Sequence, residues 1–164
     1  MSRIEKDELY LNVAESMLGR STCIRRAYGA VIVKNDEIIS TGYNGAPRGR
    51  CNCTDRGFCL RESLKIPSGE RYELCLSVHA EANAIISASR DRMIGATLYL
   101  VGHDAKTGER LPVSEPCAMC KRLIINAGIK EVVSRNGDCI YRFNVDDWVK
   151  EDEFNSIYKR FHLC

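Results

Sequence analysis

The sequence predicts a layered α/β domain. Strand-like and helix-like runs alternate through its second half, an amphipathic helix precedes them, and no apolar run approaches the roughly 18 residues of a membrane helix. The opening helix is read over Glu5 to Gly19, where Tyr10, Val13, Ala14, Met17 and Leu18 recur at helical spacing. Two β-rich runs, Gly29 to Lys34 and Glu37 to Thr41, are joined by the turn-prone Asn35-Asp36, the pattern of an antiparallel hairpin. Gly42 to Gly49 reads as a loop. A long insertion containing Cys, Gly and Pro follows at about 50–78, with at most a short helical piece at Leu60 to Leu64. Ser77 can cap a helix from about His79 to Ser89, in which Ala80, Ala84 and Ala88, with Ile85, supply an apolar side. Ala96 to Val101 is a buried strand and Gly102 to Val113 a polar loop. Ser114 can cap a helix from Glu115 to about Asn126, stopped by Ala127-Gly128. Ile129 to Ser134 is the next strand, Tyr141 to Val145 a fifth, and Trp148 to Phe161 a last helix. In such an arrangement helix N-termini and strand ends share one rim of the sheet. Without repeat, low-complexity tract or linker, residues 1–164 are read as a single domain.

Composition narrows the function classes. The 24 Lys and Arg against 22 Asp and Glu give a net charge of +2 with no polybasic run, and there is one Trp. That profile speaks against a nucleic-acid partner, yet leaves room for a small anion held by one or two arginines. Arg3, Glu5, Lys6, Asp7 and Glu8 stand where an export signal would need an apolar core, so the expected location is the cytoplasm, with no membrane partner. Nine cysteines, an odd number, in a reducing compartment point to metal or catalysis rather than a disulfide framework.

Two motifs fall at predicted helix starts: His79-Ala80-Glu81, and Pro116-Cys117-Ala118-Met119-Cys120. Cys117 and Cys120, spaced i, i+3, face the same way within one helical turn, and the helix dipole there favours the thiolate a metal requires. With His79 they make a three-ligand zinc set whose fourth tetrahedral position is left for water, the pattern of a catalytic zinc. Zinc lowers the pKa of such a water to about 7. Glu81 then stands near the open position without being a ligand. Singly, each residue is more often packing than ligand, but H-x-E followed by P-C-x-x-C is the signature of zinc nucleobase deaminases. A thioredoxin-like redox reading of Cys117 and Cys120 leaves His79 and Glu81 unexplained.

The chain resembles the deoxycytidylate (dCMP) deaminases of the cytidine deaminase superfamily. The resemblance extends to Ser21-Thr22-Cys23-Ile24-Arg25-Arg26, to Gly29-Ala30-Val31-Ile32-Val33 and to Thr41-Gly42-Tyr43-Asn44-Gly45-Ala46-Pro47-Arg48-Gly49. It implies a three-layer α/β/α sandwich around a central five-stranded mixed sheet. It further implies zinc on His79, Cys117 and Cys120, Glu81 as proton shuttle, dCMP as substrate, and dUMP and ammonia as products, with dUMP going to thymidylate synthesis. Arg25, with Ser21 and Thr22, is the implied phosphate site; Arg26 is a weaker candidate, the alternative being a surface base. Asn44 resembles the residue that hydrogen-bonds the sugar, although Asn is also a routine turn former. A homo-oligomer, commonly a hexamer, activated by dCTP with Mg²⁺ and inhibited by dTTP, is also implied.

Cys51, Cys53, Cys59 and Cys75 form a second constellation in the insertion. Four sulfurs would satisfy a closed structural zinc, and some relatives carry a second zinc in this region; the alternative is a loop of reduced thiols. Relatives often place a His near Tyr72-Glu73 that this chain lacks, and a proline element after the fourth strand that is missing from Ser134 to Tyr141. Cys23 is read as a buried small residue, Cys139 and Cys164 as non-ligands, and His103 and His162 as solvated. Two other functions compete: deamination of another cytosine nucleoside or nucleotide or related base, and a non-catalytic, zinc-stabilised interaction module.

Overall fold

The structure, a computed structural model, describes residues 3–136 and 139–150. In chain order it contains α1 (Lys6–Leu18), β1 (Arg26–Lys34), β2 (Glu37–Tyr43), α2 (Cys53–Arg56), α3 (Leu60–Ser63) and a 3-10 turn at Tyr72–Leu74. These are followed by α4 (Ala80–Ile86), α5 (Arg90–Met93), β3 (Thr97–Asp104), α6 (Ala118–Ala127), β4 (Glu131–Asn136), β5 (Cys139–Asn144) and α7 (Val145–Lys150).

The strands form one five-stranded sheet in the order β2-β1-β3-β4-β5. Only β3 and β4 run parallel, linked by the crossover helix α6; the other neighbours are antiparallel, so the sheet is mixed, as expected. Asn35 and Asp36 both take positive φ, 52° and 65°, which matches the turn of the β1-β2 hairpin to the twist of its strands. The hairpin strands run longer than the hydrophobic pattern suggests because ladder pairing reaches from Arg26, opposite Asp104, to Tyr43, opposite Gly29.

Side-chain alternation divides the core into two layers. Ala30, Ile32, Leu98, Leu100 and Val132 face Ala80 and Ala84 of α4, Met93 of α5 and Ile124 of α6. Their strand neighbours Val31, Val33, Tyr99, Val101 and Val133 point the other way, onto Tyr10, Leu11 and Ala14 of α1. Burying each large aliphatic side chain contributes about 1.5–3 kcal/mol, and the two layers together make the expected α/β/α sandwich.

Element boundaries differ from the sequence reading in several places. Neither Ser77 nor Ser114 caps a helix: α4 and α6 begin after His79 and Cys117. The first helix after the insertion stops at Ile86 and a separate short helix, α5, follows. The first residues of the Gly102 to Val113 loop continue β3, because Gly102 and His103 still pair with Tyr28 and Ala27 of β1. The last helix starts at Val145 rather than Trp148, and the predicted continuation to Phe161 lies outside the described residues. None of the described helices is long and apolar enough to cross a membrane.

Candidate active site

Two helix starts meet on one rim of the sheet. Helix α4 is seated directly on β2 because position 42 is glycine: a Cβ there would overlap the Ala80 carbonyl oxygen and lie 2.5 Å from the Ala84 nitrogen. Asn83 Nδ2 donates to the Tyr43 carbonyl at 2.8 Å and Ser40 Oγ to the Ala84 carbonyl at 2.8 Å, fixing the helix along the strand. Just before α4, Val78 pairs with Gly45 through bonds of 3.1 and 2.8 Å, so the chain stays extended until His79. At the other start, Pro116 disfavours a helical conformation at Glu115 and has the same effect. His79 and Cys117 therefore occupy the N-cap positions, both with extended backbone, which is why the serines upstream do not.

This arrangement brings His79, Cys117 and Cys120 together, all ligand atoms within 4.8 Å of one another. His79 Nδ1 lies 3.5 Å from Cys117 Sγ and 3.4 Å from Cys120 Sγ. A tetrahedral zinc with usual bond lengths separates a nitrogen from a sulfur ligand by about 3.5 Å, so these three residues fit that ion. Hydrogen bonds with Cys117 and then Cys75 push the His79 pKa up to about 10, and the bond from Cys120 holds the Cys117 thiol far below its usual range. Cys120 is shifted upward by the same bond. A divalent cation bound there would take these groups as neutral imidazole and thiolates, releasing their protons.

Glu81 sits against this cluster, 5% exposed, in hydrogen-bonding contact with Cys120. Burial pushes its carboxyl above the ordinary range. Beside it opens a cavity of about 330 Å³, lined by both motifs and by Arg25, Tyr28, Asn44, Arg61 and Tyr72 among others. Tyr72 and His79 pack as a T-shaped pair, with ring centroids 5.0 Å apart and planes at 85°.

The other predicted site residues separate into two groups. Arg25 and Arg26 line the cavity, although Arg26 is exposed and pairs with Asp104 at 3.6 Å. Ser21 and Thr22 are not among its walls: Ser21 Oγ donates to Asn44 Oδ1 at 2.7 Å, and Thr22 Oγ1 accepts from the Ala46 N–H at 3.3 Å. Asn44 also accepts from the Tyr28 N–H and donates to the Arg26 carbonyl, each at 2.7 Å. It ties the loop after β2 to the start of β1 while remaining in the cavity wall.

The insertion cysteines do not converge as the metal cluster does. Cys51 is exposed, its thiol turned to the Asn52 carbonyl at 3.9 Å; Cys53 is buried beside Ser77; Cys59 and Cys75 line the cavity. Among the described residues only His79, Cys117 and Cys120 form a group of three or more metal-binding side chains with all ligand atoms within 4.8 Å of one another. Cys23 is not fully buried but half-exposed in the cavity wall, and His103 is held by Glu15 at 2.8 Å rather than solvated. Cys139 is exposed, whereas Cys164 and His162 lie outside the described residues.

Sequence reasoning missed Tyr28, Arg61 and Tyr72 as cavity residues. Tyr28 stands just before the run Gly29 to Lys34 that reads as a strand, which the structure extends back to Arg26, and the other two lie in a segment without periodicity.

Residues 4–135 match the model of the cytidine and deoxycytidylate deaminase zinc-binding region. The chain belongs to that family. A deoxycytidylate deaminase of Mycobacterium phage D29 is 40% identical over 138 residues, covering 81% of this chain and 96% of that one. The family member from Schizosaccharomyces pombe is 36% identical over 127 residues; the match covers 77% of this chain but only 36% of that longer deoxycytidylate deaminase. Among solved structures of the family, the dCMP deaminase of cyanophage S-TIM5 in complex with dCMP and dUMP is 28% identical. It superposes with a TM-score of 0.55, covering 83% of this chain and 85% of that one.

Proposed function

We propose that this chain, read as a single domain, is a zinc-dependent enzyme that hydrolyses dCMP to dUMP and ammonia, supplying dUMP for thymidylate synthesis. The observation that carries the proposal is a buried carboxyl, Glu81, placed against a His-Cys-Cys set whose spacing fits zinc. The relatives named deoxycytidylate deaminase support the substrate. His79, Cys117 and Cys120 hold the metal, which when bound supplies a Lewis acid that makes water nucleophilic at neutral pH. Glu81 takes a proton from the attacking water and gives it to cytosine N3, which makes C4 electrophilic. It then relays a proton to the 4-amino group; the C4–N bond breaks, ammonia leaves and the carbonyl of uracil remains. Arg25 and Arg26 offer guanidinium groups to the phosphate. Asn44 has one Nδ2 hydrogen left for a sugar hydroxyl, and Ser21 and Thr22 act by holding that loop. A non-catalytic zinc module would have no use for a buried carboxyl beside its ligands.

The finer features belong to the same proposal. A second, structural zinc would draw on Cys53, Cys59 and Cys75, which stand close enough to Cys53 for their charges to act on it; exposed Cys51 is poorly placed to join them. A cytoplasmic homohexamer, activated by dCTP with Mg²⁺ and inhibited by dTTP, rests on family resemblance.

An ultraviolet assay of amine loss tests the proposal with zinc-loaded protein on dCMP, CMP, deoxycytidine and dCTP. Turnover selective for dCMP is expected, and no turnover of any of the four, even with dCTP and Mg²⁺ as activator, would sink it.

A further inference from the structure

Arg61 is a buried charge for which the mechanism above has no use. Carried on α3 in the insertion, it is 6% exposed. Its Nη2 donates to the Pro67 carbonyl at 2.9 Å, its Nε is buried without a hydrogen-bond partner, and its guanidinium lies 4.6 Å from the centre of the Tyr72 ring. Neighbouring carboxylates are engaged elsewhere: Glu62 with Lys106 at 3.6 Å, Glu73 with Arg71, and Glu115 with Lys121 at 2.6 Å. Among the described residues no carboxylate forms an ion pair with Arg61.

Burying a guanidinium charge without a direct counter-charge is strongly unfavourable. Glu73 and Cys75 feel its charge from a distance and the Tyr72 ring lies against it, but none of them forms an ion pair with it, so an anion entering the cavity would supply the direct partner that Nε and the guanidinium face lack. Arg61 is part of the wall of the same cavity as His79 and Glu81, and Tyr72 contacts both Arg61 and His79, its ring centre 4.6 Å from the Arg61 guanidinium and 5.0 Å from the His79 ring. That places the guanidinium across one aromatic ring from the metal cluster, as the phosphate of a nucleotide lies across the sugar from its base. Arg25 and Arg26 belong to the chain around the start of β1, whereas Arg61 and the hydroxyl of Ser68 come from the insertion.

We propose that Arg61 is a specificity-determining residue whose guanidinium pairs with the monoester phosphate of the substrate, so that the insertion separates nucleotide from nucleoside. This rests on the deaminase reading. Planar, two-pronged pairing with phosphate is the chemistry in which arginine surpasses lysine.

The test uses the zinc-loaded full chain with Arg61→Gln and Arg61→Lys. Arg61→Gln is expected to lower kcat/KM for dCMP at least ~10-fold more than for deoxycytidine, chiefly through KM, with Arg61→Lys intermediate. Equal losses on the two substrates, or none, would overturn the proposal and leave Arg61 a support for Tyr72. Calorimetric titration with inorganic phosphate gives a second readout that needs no turnover. Binding by the wild type that weakens in Arg61→Gln, and less in Arg61→Lys, supports the assignment; absent binding, or equal binding by all three, overturns it. If the wild type deaminates neither substrate, the deaminase reading fails while this titration still decides Arg61. Should Arg61→Gln not fold, Arg61→Lys carries both arms.

Discussion

At the rim of the sheet, His79 and Glu81 sit at the start of α4, pinned to β2 by Gly42, Ser40 and Asn83, and Cys117 and Cys120 at the start of α6. Across the cavity, Arg61, Tyr72, Cys59 and Cys75 hang from an insertion whose helices α2 and α3 are only four residues long. On the rim, side-chain directions follow from regular backbone geometry, so spacing in the sequence translates into distance in space. In the insertion they follow from local bonds such as Arg61 to Pro67 and from the left-handed turns at Lys65 and Arg71. The rim can thus supply chemistry common to a family, and the insertion is suited to selecting what that chemistry acts on.

The largest expected effect breaks the rim. Removing zinc by chelation, or the ligand Cys117 by Cys117→Ala, should abolish turnover yet leave the far-ultraviolet circular dichroism of the sheet, because the two core layers contain a full set of buried aliphatics of their own. Global unfolding on chelation would show instead that the metal is a folding element. Next comes the core that supports the rim: Ile124→Ala, at a fully buried position one turn beyond Cys120, should cost about 2–5 kcal/mol in denaturant unfolding. A loss below that range would mean that α6 can collapse onto the sheet.

Gly42→Ala sharpens the comparison further. The added methyl must push α4 from β2, at about 1–3 kcal/mol, and should weaken zinc binding in a competition titration, because His79 moves with the helix. Unchanged zinc affinity would contradict the seating of His79 by that contact. The smallest effect is expected in the insertion, where Cys51→Ser at an exposed position should shift stability by no more than about 0.5 kcal/mol and leave zinc content unchanged. A fall in bound zinc would restore Cys51 to a second metal site.

The same contrast explains what was legible in the sequence. The apolar run Ala30 to Val33 and the positive-φ tolerance of Asn35-Asp36 mark the hairpin by local rules, whereas the five-stranded mixed sheet and its two core layers are implied by the family resemblance and borne out by the structure. The i, i+3 cysteines and the H-x-E pattern likewise told which side chains would meet. Serine capping at 77 and 114 misled, since the bridge of Val78 to Gly45 and the restriction by Pro116 are a tertiary and a neighbour effect that outweigh cap propensity. Ser21 and Thr22 were read toward the ligand, but their hydroxyls are engaged by Asn44 and Ala46, residues distant in sequence. Arg61 and Tyr72 carry no periodic signal at all; only the folded insertion shows that they share a cavity with His79.

The most direct test of the account compares wild type and Glu81→Gln at matched zinc stoichiometry, with dCMP turnover and bound metal measured on the same samples. The account predicts a full zinc complement in both and a rate lower by about 10²- to 10⁴-fold in Glu81→Gln, the range expected when a positioned acid-base group is lost. Equal rates at equal zinc would contradict the role of Glu81 as proton shuttle.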